Sequence, residues 1–462
     1  MLLIDGARTL EDLFQYCDKN KIQFIDLKSI DLLGRLHHVS LPVSELSVET
    51  FSEGVGFDGS SYGFLDVESS DLVQIPDVST AITDPFRREP TLSFFVSIHS
   101  TDTKRTPFRF DVRRICKKAE ARLRDLNIAE NVLMAPEYEF YLFKNVRFSS
   151  AEDSSYYFLD CEEGLHHNAY QSVNPFDKYD EFRDEATQLM KSLGIGIRYH
   201  HHEGGRKAQQ EIEATFNSLL VTADQCILIR YLLYNLAERH NLRLTFMPKP
   251  VYGDAGSGWH VHQFLTREGG SIFWDQNGYA SLSKIGLYYV GGLLKHARSL
   301  CAFTNPSTNS YKRLVPGFEA PVSMSFGPSD RSAAVRMPSY VCHQQKARIE
   351  YRVPDGTANP YLALSAMLMA GLDGIVTQQD PTAQASDSHV QVAAEYADKA
   401  KAGLPRNLDE ALDALEEDHD YLIDGDVFDE ALIQKWISLK RKESSSIAAR
   451  PHPFEFHMYF EV

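Results

Sequence analysis

Chemically capable residues recur in this chain at a spacing of two. Glu137-Tyr138-Glu139 lies inside the run VLMAPEYEFYLF, and His260-Val261-His262 follows the turn Ala255-Gly256-Ser257-Gly258. On a strand, residues two apart share a face. Glu350 and Arg352 repeat the spacing, and Glu203 and Glu211 flank the turn Gly204-Gly205-Arg206-Lys207. Glutamate is almost never fully buried without a partner. Strands that turn carboxylates and imidazoles to one side therefore predict a polar site in place of an apolar core. Glu137, Glu139, Glu203, Glu211, Glu350 and His260 cannot share a dry cavity without cations. An oxygen-rich set with one imidazole suits Mg²⁺ or Mn²⁺ better than zinc. Arg313, Arg331, Arg336, Arg348 and Arg352 could then clamp a transferring phosphoryl group. Taken singly, each arginine also fits a surface ion pair, and a lone GSG turn or HxH pair also fits an ordinary surface turn.

The elements that must position these groups follow from periodicity. Helical spacing covers Thr9–Lys19, and alternation predicts strands over Ile22–Asp26 and Leu36–Leu41. Gly54–Ser61 is too rich in Gly and Ser for a strand interior and reads as a loop. Asp71–Pro76 and Thr91–His99 complete a strand-rich module. The polar, proline-containing Thr103–Pro107 marks a boundary, giving domains 1–104 and 105–462. Beyond it, helices are expected at Asp111–Leu126, Glu181–Leu193, Ala223–His240, Ser283–Phe303 and Asn359–Val376, with a largely helical tail. Strands are expected at Val132–Phe143, Ile195–His202, Gln209–Thr215, Ala333–Met337 and Arg348–Val353. This order indicates an α+β or α/β catalytic domain.

The bulk properties narrow the function. The chain has 462 residues, 43% hydrophobic and 24% charged, enough for two domains of an ordinary globular protein. Its net charge is −17, against the basic face of a nucleic-acid binder. Cys17, Cys116, Cys161, Cys226, Cys301 and Cys342 are scattered, suggesting neither a disulfide framework nor a zinc site. The N-terminus lacks a signal-peptide pattern, and no run of 18 apolar residues occurs; no membrane association and a cytoplasmic location are expected. Tyr361–Val376, the most apolar segment, reads as a buried helix. There is no Walker loop, GxGxxG fingerprint or GxSxG elbow, so a bound nucleotide would not use a P-loop.

The motifs GFDGSSYGF (56–64), PEYEFYLF (136–143), HHHEGGRKAQQEIEATFN (200–217), AGSGWHVH (255–262), NPSTNSYKRLVPGFEAP (305–321), DRSAAVRMP (330–338), RIEYRVPDGTANPYLALSAMLMAGLDG (348–374) and PHPFEFHMYFEV (451–462) occur in this order. Together they resemble the prokaryotic type I glutamine synthetase family over essentially the whole chain. The resemblance implies a small β-grasp-like N-terminal domain and a large catalytic domain with a curved antiparallel sheet flanked by helices. It implies ATP-dependent ligation of ammonium to glutamate through γ-glutamyl phosphate, with two to three Mg²⁺ or Mn²⁺ ions. Glu139, Glu203 and Glu211 would hold one ion, and Glu137, His260 and Glu350 a second. His262, Phe216, Phe264, Arg331, Arg336 and Arg348 would meet ATP. Ala255, Gly256, Arg313, Glu319, Arg331 and Arg352 would meet glutamate. Asp58 would bind ammonium and act in a neighbouring subunit's site, Glu319 would close the site, and Arg331 would stabilise the transferring phosphoryl group. The assembly implied is a homododecamer of two stacked hexameric rings.

The chain departs from the family pattern at three positions. Ala255 stands where Asn precedes GSG, Phe264 where Ser meets the nucleotide, and Arg198 where an acid does. Phe264 could stack on adenine or pack inward. Ser386–Tyr396 reads SDSHVQVAAEY, without the tyrosine loop that many type I enzymes use for adenylylation, so control of that kind is not expected. In His200-His201-His202 the histidines are read as packing, with metal binding assigned to Glu203. His166-His167 is read as solvated and Tyr156-Tyr157-Phe158 as packing in an insert. A γ-glutamyl ligase for another amine, or a catalytically silent ring-forming scaffold, are the competing readings.

Overall fold

The computed structural model describes residues 9–65, 68, 70–163, 169–339, 343–382 and 403–462. His166, His167, Cys342 and the whole of 386–396 lie outside these.

The N-terminal module is a mixed sheet. Its strands are β1 (Phe24–Ile30), β2 (Leu36–Pro42), β3 (Val55–Asp58), β4 (Asp71–Pro76), β5 (Ile82–Thr83) and β6 (Thr91–Ser100), in the order β2-β1-β6-β4-β3 with β5 against β6. The helix Leu10–Lys19 packs on it through Leu13 and Cys17. Thr9 caps that helix, accepting from the Asp12 amide while the Asp12 carboxylate accepts from Thr9. One expectation fails here. Val55–Asp58 is a strand, paired from Val55↔Gln74 to Asp58↔Asp71. Only Gly59 to Tyr62 forms the tight turn. Edge pairing with β4 supplies the backbone partners that Gly-rich composition argued against.

The catalytic region is built on a ten-stranded sheet. Its strands are β7 (Asn131–Phe143), β10 (Ile197–His202), β11 (Gln209–Ala214), β12 (Asn217–Ser218), β13 (Arg243–Thr245), β14 (Trp259–Arg267), β15 (Gly270–Ser271), β16 (Ser323–Pro328), β17 (Ala333–Met337) and β18 (Ile349–Tyr351). The order is β10-β11-β7-β14-β18-β17-β16, antiparallel except for the parallel pair β16–β17. β8 (Asn145–Ser150) and β9 (Ser155–Asp160) form a separate hairpin. There Tyr156, Tyr157 and Phe158 are exposed, so in this chain they do not pack as expected.

One face of the ten-stranded sheet is covered by helices. The helix Pro360–Val376 is almost wholly buried, with Asn359 accepting from the Tyr361 amide at its start and Pro360 in its first turn. Leu219–Arg239 is the one helix among the described residues long and apolar enough to cross a membrane, but two thirds of its apolar window is buried in the core. The expected single helix over 283–303 is two, Lys284–Lys295 and Ala297–Thr304, which meet at His296. Both nitrogens of this buried imidazole are engaged by carboxylates, Nδ1 by Asp418 at 2.9 Å and Nε2 by Asp373 at 2.9 Å. Arg113, also buried, locks the two modules together: it grips Asp224 at 2.8–2.9 Å and reaches Asp77 at 3.1 Å.

Candidate active site

The register of the sheet turns the sequence spacing into a site. Across antiparallel neighbours, paired residues project from the same face. Glu211 pairs with Glu139 and Glu213 with Glu137; Glu137 pairs with His260, His262 with Glu350, and Glu350 with Arg336. His201 pairs with Glu211 on the other side. The face opposite the helices is thus a continuous field of carboxylates, imidazoles and guanidinium groups across six strands.

Three tight groups occur in this field. Glu137, Glu139 and His260 converge, as do Glu137, His262 and Glu350, and His201, Glu203 and Glu211; within each group the ligand atoms lie within 4.8 Å of one another. His260 Nδ1 is 2.7 Å from Glu137 Oε1, and His262 Nε2 is 3.4 Å from Glu137 Oε2. His201 Nε2 is 3.1 Å from Glu211. All six residues expected to ligate metal thus lie in this field, but grouped otherwise than expected: Glu139 falls with Glu137 and His260 and not with Glu203 and Glu211, and His262 stands in place of His260 beside Glu137 and Glu350. The structure also brings His201 among them, against its reading as packing. His201 lies two residues before Glu203, and carrying the strand period back from Glu203 would have placed it on this face. Glu213, two beyond Glu211, was missed although the same signal was available. Tyr170, which lines both cavities of the site, sits outside any strand and left no periodic signal.

The electrostatics differ between the two halves. Burial, then Glu211 and Glu139, push the Glu203 carboxyl well above the usual carboxylate range. Burial, then Glu137 and Glu139, do the same to Glu211. At Glu137 burial is outweighed by hydrogen bonds from His260 and His262, which hold it well below that range. At Glu350 burial is outweighed by His262 and Arg352, which bring it down. Arg336 donates to Glu350 at 2.6 Å, and Arg352 donates to its other oxygen. Glu203 Oε2 is buried without a hydrogen-bond partner. An all-oxygen and imidazole donor set, with an orphaned carboxylate oxygen and raised carboxyls, fits hard divalent cations.

Two cavities open on this face. One, of about 390 Å³, is lined by Glu139, Glu203, Ala255, Gly256, Arg313 and Glu319 among others. The other, of about 900 Å³, includes Arg198, Tyr199, His201 and Arg336 in its wall. Glu137, Tyr170, Glu211, Arg331 and Arg352 line both. In the smaller cavity the glycines of the GSG turn have negative φ and are needed for space. A Cβ on Gly256 would meet Arg313 Cγ and the Pro248 carbonyl at 2.7 Å; one on Gly258 would meet His260 Nε2 at 2.5 Å and an Arg313 nitrogen at 2.6 Å. Arg313 donates to the carbonyls of Val353, Arg352 and Pro354, and burial lowers its pKa. The Ala255 carbonyl already accepts from the Tyr141 hydroxyl at 2.7 Å. Glu319 has φ +56°, a left-handed conformation costly for a residue with a Cβ.

His262, Glu350, Phe216, Phe264, Arg348 and Asp58 line neither cavity. Phe264 is buried two residues beyond His262, edge-on to Phe216 at 5.0 Å, and the Arg348 guanidinium is 5.7 Å from the Phe216 ring. Inward packing is therefore the conformation Phe264 adopts. Asp58 starts the turn Gly59–Tyr62 on the N-terminal module, where hydrogen bonds from Ser60, Ser70 and Ser61 hold its carboxyl well below its usual range. It lines neither cavity.

Comparison with known proteins bears on this arrangement. Residues 21–101 match the family described as "Glutamine synthetase, beta-Grasp domain" and residues 109–459 match "Glutamine synthetase, catalytic domain". The glutamine synthetase of Streptomyces coelicolor is 42% identical, covering 98% of this chain and 99% of its own. That of Mycolicibacterium smegmatis is 39% identical, covering 99% and 100%. A cryo-EM structure of Plasmodium falciparum glutamine synthetase superposes with a TM-score of 0.89 at 26% identity, covering 98% of this chain and 99% of that one. A structure titled as an ADP complex of GmaS gives 0.82 at 28% identity, covering 98% and 100%. With both domains matched and the likeness running through the strands that carry the charged face, the chain belongs to the glutamine synthetase family.

Proposed function

We propose that the protein ligates ammonia to the γ-carboxylate of L-glutamate at the expense of ATP, giving L-glutamine, ADP and phosphate. The observation that carries this is the charged sheet face, where Glu137, Glu139, Glu203, Glu211, Glu350 and His260 converge beside Arg313, Arg331, Arg336 and Arg352. A carboxylate is a poor electrophile. Transfer of the γ-phosphoryl group of ATP to a glutamate γ-oxygen forms γ-glutamyl phosphate and ADP. Ammonia then adds to the acyl carbon, phosphate leaves with its C–O bond, and the nitrogen loses a proton.

In this reading Ala255, Gly256, Arg313 and Arg352 hold glutamate in the smaller cavity. Arg331 and Arg336 neutralise the phosphoryl group at the junction of the two cavities. A nucleotide would occupy the larger cavity, with its phosphates toward Glu137 and its neighbour His262, and with Phe216, Phe264 and Arg348 as the remaining residues assigned to it. Glu139, Glu203 and Glu211, joined by His201, would hold one divalent ion, and Glu137, His260 and Glu350 another. When bound, Mg²⁺ or Mn²⁺ offsets the repulsion between phosphate and carboxylate anions. Glu319, on the loop that borders the smaller cavity, shields the acyl phosphate from water and takes the ammonium-derived proton.

Asp58 binds ammonium in the site of a neighbouring copy, because it lies away from its own chain's cavities. The segment around the helix Pro453–Tyr459 supports such assembly, since Phe454, Phe456, Met458 and Phe460 are all exposed. We take stacked hexameric rings as the assembly and the junction near 104/105 as the domain boundary. The test is phosphate release with glutamate, MgATP and either ammonium or a panel of organic amines, with Asp58→Ala and Glu319→Ala alongside. Ammonium-dependent release that both variants lose is expected. Turnover with an organic amine but none with ammonium overturns the choice of amine. Failure to bind MgATP overturns the enzyme reading.

A further inference from the structure

The loop that carries Glu319 is strained at its tip. Gly317 has φ +95° and Glu319 φ +56°, so two left-handed residues flank Phe318. Nothing lies within 4 Å of a Cβ added at Gly317, so glycine serves there for its φ and not for space. Glu319 adopts the same region with a Cβ, which is costly. Such a conformation persists only where surrounding contacts over-determine it. Arg352 supplies a weak one, donating to the Glu319 carbonyl at 3.5 Å. Phe318 supplies a stronger one: its half-buried ring lies under the Lys249 ammonium, with Nζ 3.5 Å from the ring centroid.

Lys249 is a fixed post for this ring. Pro248 and Pro250 flank it and narrow the backbone freedom of the segment. Its amide donates to Asn309 Oδ1 at 2.7 Å, and its carbonyl accepts from Asn309 Nδ2 at 3.2 Å. Its ammonium also donates to the Asp254 carbonyl. Asp254 opens the turn 254–256, and its carboxylate accepts from the Ala255 amide at 3.0 Å. The Pro248 carbonyl accepts from the Ser257 amide at 2.8 Å, on the far side of the same turn. One short segment therefore supports both the turn and the loop, and Asp254, Ala255, Gly256, Phe318 and Glu319 all line the smaller cavity. Burial lowers the pKa of Lys249, as expected of an ammonium partly stripped of water. That is the state in which a cation gains most from an aromatic face.

We propose that Lys249 is the positioning residue of Glu319: through Phe318 its ammonium latches the closing loop to the turn 254–256, so that glutamate seated on the turn steadies the loop. This rests on the reading of the smaller cavity as the glutamate end and of Glu319 as its shield.

The test is hydrogen exchange of the segment 315–320 in the full chain, with and without glutamate, for Lys249→Met, Lys249→Arg, Phe318→Leu and the double variant of Lys249→Met with Phe318→Leu. Phosphate released per glutamine formed is measured alongside. Near-UV circular dichroism and assembly size establish that each variant folds. Lys249→Met keeps the length of the side chain and removes its charge. It speeds exchange of the loop by about tenfold, the effect of losing a partly desolvated cation over a ring, and raises phosphate release per glutamine. Phe318→Leu does the same, and the double variant is no looser than the worse single one, because the two residues act as a unit. Lys249→Arg recovers part of both readouts. Glutamate slows exchange of the loop in the wild type and less so in Lys249→Met. Unchanged exchange in a folded Lys249→Met or Phe318→Leu overturns the latch, and additive losses overturn the pairing of the two residues. Faster exchange with an unchanged phosphate-to-glutamine ratio overturns the positioning of Glu319. Equal slowing by glutamate in wild type and variant overturns the link to the turn. A wild-type chain that forms no glutamine overturns instead the ligase reading, and the exchange rates, which need no turnover, still decide the latch.

Discussion

Gly258→Ala tests the claim that the GSG turn exists to let site side chains approach its backbone. The added Cβ would lie 2.5 Å from His260 Nε2 and 2.6 Å from an Arg313 nitrogen. Restoring an ordinary contact of 3.4 Å requires a retreat of about 0.9 Å by His260 and about 0.8 Å by Arg313. Neither can yield freely. His260 is held 2.7 Å from Glu137, and Arg313 donates to three backbone carbonyls. The Gly258 amide itself donates to Glu139 at 2.7 Å, so shifting the turn displaces another carboxylate of the same site. Overpacking of this kind costs about 1–3 kcal/mol of stability. A displacement near 1 Å in a catalytic constellation costs about 100-fold in rate. Phosphate release should therefore fall by about two orders of magnitude, with weakened Mn²⁺ binding by electron paramagnetic resonance. Gly269→Ala is the control. Its φ is +74° but no atom lies within 4 Å of the added Cβ, so it costs about 1 kcal/mol of backbone strain with kcat unchanged. A folded Gly258→Ala with wild-type kcat and Mn²⁺ affinity would refute the close-approach argument.

Three further outcomes follow from the same geometry. His296 is raised above its ordinary 6.5, because its hydrogen bonds to the Asp373 and Asp418 carboxylates outweigh burial. Its contribution is thus complete below pH 6.5 and is lost as pH rises through the folded value; His296→Gln should lower Tm most near pH 6, on the order of 2 kcal/mol, and a Tm difference constant from pH 6 to 9 would contradict this. Glu203 and Glu211 have folded values above the unfolded ones, so without cations they lose stability as pH rises, whereas the lowered Glu137 and Glu350 lose theirs only on acidification. Mg²⁺ or Mn²⁺ should then raise Tm more at pH 8 than at pH 6 and displace protons, measured by calorimetry in buffers of different ionisation enthalpy; equal Tm gains and no proton release would count against it. Glu319→Ala and Glu319→Gly should both release more phosphate per glutamine formed, and the glycine variant should be about 1 kcal/mol the more stable because φ is +56°; unchanged coupling would remove Glu319 from the shielding role.

The charged face was legible because strand periodicity is local. Glu137-x-Glu139 and His260-x-His262 needed only the knowledge that each run is a strand. His201 and Glu213 obey the same period and were passed over, one inside a histidine run and one beside a more conspicuous glutamate. Other features depend on partners distant in sequence. Val55–Asp58 becomes a strand because β4 lies beside it, which its own composition does not announce. The break at His296 depends on Asp373 and Asp418, residues 77 and 122 positions away. The bulge at Arg198, where Ile197 pairs with Ala214 but Tyr199 with Glu213, is a register event between two strands, and no single strand's sequence contains it. The inward placement of Phe264 depends on Phe216, which arrives from a different strand end.

The unequal electrostatics of the site suggest an order of assembly. Around Glu350 and Glu137 the protein supplies its own partners: the guanidinium groups of Arg336 and Arg352, and the two imidazoles of β14. Around Glu203 and Glu211 the contacts within ion-pair range among the described residues come from His201. In the first half the Glu350 carboxylate is already paired with two guanidinium groups, and a cation entering it must compete with groups already in place. The second half carries carboxyls pushed up by their own repulsion, which a divalent ion relieves directly. An ion held there by the proposed set Glu139, Glu203, Glu211 and His201 is expected to bind first and more tightly, which a two-step Mn²⁺ titration followed by electron paramagnetic resonance checks; a single step of two equal affinities would contradict it. A site between Glu137, His260 and Glu350 would fill more weakly, because Arg352 and Arg336 would have to loosen from Glu350. In the proposed reading these are also the arginines that would meet the substrate carboxylate and the phosphoryl group, so an ion at the second site would free them toward the substrates.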